Sequence, residues 1–293
     1  MERSRRLILI LKMPRTIQHT TFAALTLATL TLAPARSAEQ KPAVRAVQAK
    51  PEISEHLREE LGINEFTTPS IAVLLKALTA LKPVPYDEVA RELPQQNPAD
   101  RARLALSTGA VIADGFLAVV AEKQARIEPI ARALLRQAKG LGVGEHVTRH
   151  SRSVLEKAVV KDWAGIHTEL TGTQRDVEGG MMALRDEEIA HLVALGGWWR
   201  GLEISSGILS SHYTPQGATL MAQPAVIDYF ADRISTMNPT FQKTKLWAGL
   251  SGNLAEVRKL AVKPDKAVPT AEEVKAIHAL AKAMNDLIAA QDE

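Results

Sequence analysis

His146 and His150 stand four residues apart in the polar run EHVTRHSR, a spacing that sets both imidazoles on one face of a helix. Two such rings hold zinc or another divalent ion when further ligands arrive from a second segment. Glu188 and His191, a Glu-x-x-His pair, are the candidates to complete that set. The favoured reading of the histidines is a solvated helix face, with no cofactor expected. The metal site is the alternative.

A di-iron bundle site needs a second Glu-x-x-His and carboxylates from the other helices, and no second copy falls in the helical repeat region. Asp114, Arg200 and Glu203 raise a different chemistry. Asp114 lies in an apolar run, AVIADGFLAVV, and Arg200 in GGWWRGLEI, with Glu203 one helical turn further on. Charges in such runs are costly to bury alone, so the expectation is one internal Asp114–Arg200–Glu203 network. Trp198 and Trp199 are candidate ligand contacts, since adjacent helical positions do not both face one narrow core stripe; packing against two different helices is the competing role. Ser205, Ser206, Ser210, Ser211 and His212 lack a Gly-x-Ser-x-Gly elbow, and the chain has no HExxH, P-loop or dinucleotide fingerprint.

The elements that must position these groups read as helices throughout. Apolar positions recur at helical spacing over about 98–124, 126–139, 145–161, 162–182, 185–209, 224–236, 240–260 and 271–289, with shorter helices over 52–61, 69–81 and 85–93. The run GLGVG at 140–144 has no following Gly-Lys-Ser/Thr and reads as a turn between helices. Thr270 with Glu273 forms a capping box for the last helix. The fold class is all-α, a multi-helix bundle.

The segment KDWAGIHTEL at 161–170 returns as KLWAGLSGNL at 245–254, identical at five positions. A displacement of 86 places Asp114 over Arg200 and Gly115 over Gly201. The expectation is two related helical units, 98–184 and 185–289, the second including a closing C-terminal helix and both preceded by a helical section over 52–97. Trp163 and Trp247 are assigned to packing, with Gly165 and Gly249 allowing close helix approach. His167 and Glu169 have no counterpart in the second copy, where Ser251 and Asn253 stand.

The ends set the compartment. Residues 1–37 combine basic side chains, the apolar run TFAALTLATLTLAP and small residues, the order of a signal peptide, with Met13 a possible start. An uncleaved anchor is the alternative. A flexible leader is expected over 38–51. The signal holds six basic residues and one acidic, leaving 30 basic against 32 acidic in the remainder. No net positive field is left to attract nucleic acid. With no cysteine, disulfides and thiolate metal sites are excluded. No integral membrane segment is expected in the mature chain. The expectation is a periplasmic protein, or alternatively a secreted one, that binds an envelope protein or a small ligand or serves a structural role. A divalent-metal-dependent hydrolase is the alternative function.

Overall fold

The computed structural model describes residues 79, 83–265 and 267–290. The signal, the leader and the expected helix over 52–61 lie outside the described residues, as does all but Thr79 of the helix expected over 69–81. Every described residue falls within one compact unit, Lys50–Glu293. In chain order the helices are α1 (Tyr86–Val89), α2 (Arg101–Val120), α3 (Gln124–Leu141), α4 (Gly144–Val159) and α5 (Trp163–Ala183). They continue with α6 (Glu187–Ser211), α7 (Pro215–Ala218), α8 (Pro224–Ser235), α9 (Lys245–Ala261) and α10 (Ala271–Ala289). No strand occurs among the described residues.

The two most apolar helices form the centre. Helix α2 is long and apolar enough to cross a bilayer, yet 94% of its most apolar window is buried inside the protein, so its hydropathy is that of a core helix. Around it α3, α4 and α5 pack in sequence, and α5 closes back onto α2. Helix α6 is likewise flanked by α8 and α10, with α9 packed on both of those.

Helices α2 and α6 pack against each other and run parallel. Arg101 pairs with Asp186 near their starts, and Asp114 with Arg200 further along. Glycines let the backbones meet between these pairs. A Cβ on Gly109 would lie 1.8 Å from the Val193 carbonyl oxygen, and one on Gly196 would lie 1.9 Å from that of Leu106. No side chain fits at either position.

The helices α2 to α5 end alike. Glu122, Gly142, Lys161 and Arg185 each take a positive φ just past a helix. The following amide in each case bonds back to a carbonyl five residues earlier, such as Asp162 N to Lys157 O at 3.0 Å. These are Schellman turns, and three of the four use a residue other than glycine. No other positive φ occurs among the described residues.

The two Trp-Ala-Gly helices do not occupy matching places. Helix α5 packs on both α2 and α6, whereas α9 packs on α8 and α10. Both tryptophans are partly buried against the core. Their glycines serve different ends. Gly249 makes room for Leu287 of α10, as expected of close helix approach, but Gly165 makes room for its own N-cap, Asp162, whose Oδ2 would lie 2.1 Å from an added Cβ.

One helix is shorter than the sequence pattern indicates. The stretch 85–93 stops being helical at Val89, and residues 90–98 form an irregular strap that begins extended at Ala90. Pro94 disfavours helical backbone at Leu93. Guanidinium groups also take carbonyls at the end of α1 and in the strap that a continuing helix would use internally. Arg200 Nη2 donates to Val89 O at 2.6 Å, Arg126 Nη2 to Arg91 O at 3.1 Å, and Arg136 Nη2 to Pro94 O.

Candidate functional site

The strap, together with α2, α6 and α10, encloses an open cleft of about 600 Å³. Its size is that of a small-molecule site. Each wall contributes polar side chains: Glu88 and Arg91 from α1 and the strap, Ser107 from α2, Arg200 and Glu203 from α6, and His278 and Asn285 from α10.

Arg200 is the hub. It is 1% exposed, Asp114 is 5% exposed, and the pair meets Nε to Oδ1 at 2.7 Å. Arg200 Nη1 donates to Glu203 Oε2 at 2.7 Å, and Arg91 Nε reaches the other Asp114 oxygen at 2.9 Å. Burial alone would raise the Asp114 pKa, but Arg200 and Arg91 outweigh it and hold the carboxyl below its ordinary value. Burial likewise opposes charge on Arg200, and Asp114 with Glu203 reverses that, raising its pKa. Asp114, Arg200 and Glu203 are thus brought together, and Arg91, which sequence reasoning missed, completes the set. Its signal was weak because it lies in a short, polar, proline-punctuated segment rather than in an apolar run, where a lone charge would call for a partner.

His278, Ser107 and Asn285 were also missed. His278 Nδ1 lies 3.1 Å from the carbonyl oxygen of Glu203, which only accepts, so Nδ1 carries a proton, and in the neutral ring Nε2 is then the acceptor. Asn285 Nδ2 donates to Ala281 O at 3.0 Å, which fixes the amide's orientation. Its Oδ1 is buried without a hydrogen-bond partner. Ser107 accepts from Gln137 Nε2 at 2.7 Å, leaving its own hydroxyl proton to donate. A single polar residue on an apolar helix face gives no sequence signal that three such residues line one cleft.

Trp198 and Trp199 do not form an exposed contact surface. They are 3% and 0% exposed and pack on each other with centroids 5.1 Å apart, Trp198 also meeting Phe230. Adjacent positions are both buried because α6 is surrounded on several sides and has no narrow core stripe.

The four candidate metal ligands are not gathered. His146 is exposed, while His150 is buried and lies between two carboxylates, Nδ1 at 2.7 Å from Glu169 and Nε2 at 3.0 Å from Asp176. Against the opposing effect of burial, hydrogen bonds from His150 and Ser153 lower the Glu169 pKa. Glu188 instead holds Asn238 through its amide and side chain at 2.8 and 2.6 Å. His191 Nδ1 and the Tyr229 hydroxyl share a hydrogen bond at 3.0 Å. Burial, with nearby Arg233, brings the His191 pKa down to about 4, and burial pushes Tyr229 up to about 12. Among the described residues no three His, Asp or Glu side chains converge as a metal centre.

The serines at the end of α6 are occupied by their own helix: Ser205, Ser206 and Ser210 each donate to the carbonyl four residues back. No protein-family model matches the chain, and comparisons with curated proteins and with solved structures give no match.

Proposed function

We propose that this is an exported helical protein that binds a small polar ligand in the cleft beneath the strap. The observation that carries the reading is the cleft's lining. Arg200, Ser107 and Asn285 are each at least 97% buried and line a space large enough for a ligand. Apolar side chains of similar volume are commonly as stable as a buried ion network, and unmet buried hydrogen-bonding groups are rare without a role. Arg200 and Ser107 have partners and only Asn285 keeps an unmet oxygen, so a polar ligand in the cleft is the role offered for the buried polar lining as a whole. The order of basic, apolar and small residues over 1–37 supports export to the periplasm.

Three features bear on shared ancestry of 98–184 and 185–289. The reciprocal Gly109–Val193 and Gly196–Leu106 contacts support it, although their displacement of 87 is one residue off the 86 that relates Asp114 to Arg200 in the same two helices. The unequal placing of the two Trp-Ala-Gly helices and the confinement of Schellman turns to α2–α5 oppose it.

An enzymatic reading has one observation in its favour: His278 presents Nε2 as an acceptor in the same cleft as Glu203 and Arg200, an arrangement suited to proton abstraction. The binding reading is tested by native mass spectrometry of the protein purified from its own periplasm. A retained small molecule is expected, and it should be lost from Ala289→Trp, which fills the cleft from an exposed helical position. Equal retention by wild type and variant would overturn the assignment to this cleft.

A further inference from the structure

The cleft's own charges and hydrogen-bonding ends specify the kind of ligand. We infer that it takes a small organic cation, an ammonium or guanidinium compound, seated against Glu203 and His278. This rests on the reading of the cleft as a ligand site.

The cations lining the cleft are already paired. Arg91 and Arg200 share Asp114, Arg200 also holds Glu203, and Lys282 pairs with Asp286 at 2.7 Å. Within these pairs positive and negative charges balance. Glu88 and Glu92, on the same wall, have no ion partner among the described residues, so the described lining of the cleft carries a surplus of negative charge. Low-dielectric walls concentrate that field inside the opening.

The uncharged groups point the same way chemically. His278 offers Nε2 as an acceptor, because its Nδ1–H is held by the Glu203 carbonyl. Asn285 Oδ1 also has no partner, but it has no solvent-accessible surface, so it adds to the field without forming a seat. Glu203 gives only Oε2 to Arg200, leaving Oε1 as a second acceptor. His278 is thus fixed by its own neighbour with the acceptor end unspent. Ser107 is the counterexample, with a hydroxyl that also donates. A ligand with several N–H donors and positive charge satisfies this set, whereas a carboxylate or phosphate would face acceptors and unpaired glutamates.

The probes are putrescine and agmatine, with 1,4-butanediol and succinate as neutral and anionic matches, titrated calorimetrically into the full mature chain. One cation should bind at a single site. Its affinity should fall by about tenfold or more in Glu203→Gln, the loss expected for a charge-assisted hydrogen bond. Because Glu203 also pairs with Arg200, Glu88→Gln/Glu92→Gln at exposed positions provides a variant with no folding cost, and a several-fold loss is expected there. Binding of the diol or diacid, abolished by Ala289→Trp while neither cation binds, would overturn the cation assignment and leave the cleft as a ligand site. Cation binding unchanged in Ala289→Trp would overturn both. Failure of every probe to bind would overturn the cation assignment for compounds of this size, and the retained-ligand measurement would then decide the cleft separately.

Discussion

Gly109 and Gly196 face each other's helix in the same way: a Cβ on Gly109 would strike the carbonyl of Val193, and one on Gly196 that of Leu106, at 1.8 and 1.9 Å. The obstacles are backbone atoms, so a flexible side chain cannot yield to relieve them. Gly109→Ala or Gly196→Ala should force α2 and α6 apart and cost about 3 kcal/mol or more, at the upper end for overpacking. Gly252→Ala is the comparison, because nothing lies within 4 Å of its added Cβ. In that helix interior alanine should stabilise by about 0.5–1 kcal/mol. Thermal unfolding of the three variants separates the effects, and a neutral Gly109→Ala would remove the close crossing from the account.

Asp114 is the carboxylate shared by two arginines, and Asp114→Asn leaves both poorly neutralised in a buried place. Removing one partner of such a network should cost about 3–5 kcal/mol. Adding Arg200→Met to Asp114→Leu should cost less than the sum of the two single changes, since each removes the other's stranded partner. Denaturant titration of the double-mutant cycle measures the coupling. The same pairing fixes a direction with pH. Asp114 is held below its ordinary value, so its contribution is full above about pH 4, the unfolded carboxyl's range, and disappears as pH falls through the lower folded value.

The fold class and the positions of the long helices were legible because apolar periodicity and caps are local signals. The Thr270–Glu273 capping box, for example, occurs with both of its hydrogen bonds. The pairing of Asp114 with Arg200 was legible because two charges in apolar runs need one another. The cleft was not, because its groups come from α2, α6, α10 and the strap, each contributing residues that are unremarkable alone. Trp198 and Trp199 misled because stripe geometry assumes a helix with a solvent face, and α6 has none along that stretch. His150 was read as a possible ligand, but Glu169 and Asp176, one turn or more along α5, occupy both its ring nitrogens.

His191 gives a second pH dependence, in a window distinct from that of Asp114. Its folded pKa of about 4 lies below the ordinary 6.5, because burial and Arg233 oppose the charged ring. The unfolded chain therefore takes up a proton first as pH falls. Stability should decline from about pH 6.5 down to about pH 4 and then stop declining on this residue's account. With solvent screening at this partly exposed site the loss should reach about 2 kcal/mol. His191→Gln should flatten that limb of the stability profile while costing some of the Tyr229 hydrogen bond at neutral pH. An unchanged slope between pH 6.5 and 4 in His191→Gln would show that other groups carry it.

Lys161 and Glu122 end helices α4 and α2 in the left-handed region, each with φ of 55°. The Schellman bonds demand that conformation. Lys161 N bonds to Ala158 O at 3.2 Å, and Glu122 N to Val119 O at 3.1 Å, with the next amide closing the outer bond in each turn. A side chain meets its own backbone there, at a cost of roughly 1 kcal/mol, and glycine does not. Both residues are exposed. Lys161→Gly should therefore raise stability by about 0.5–1 kcal/mol despite the greater entropy glycine gives the unfolded chain, and Glu122→Gly should behave alike. The sign is the test, since glycine at an ordinary helical position lowers the melting midpoint. If both substitutions lower it, the left-handed turns are not the conformations these helices adopt in solution.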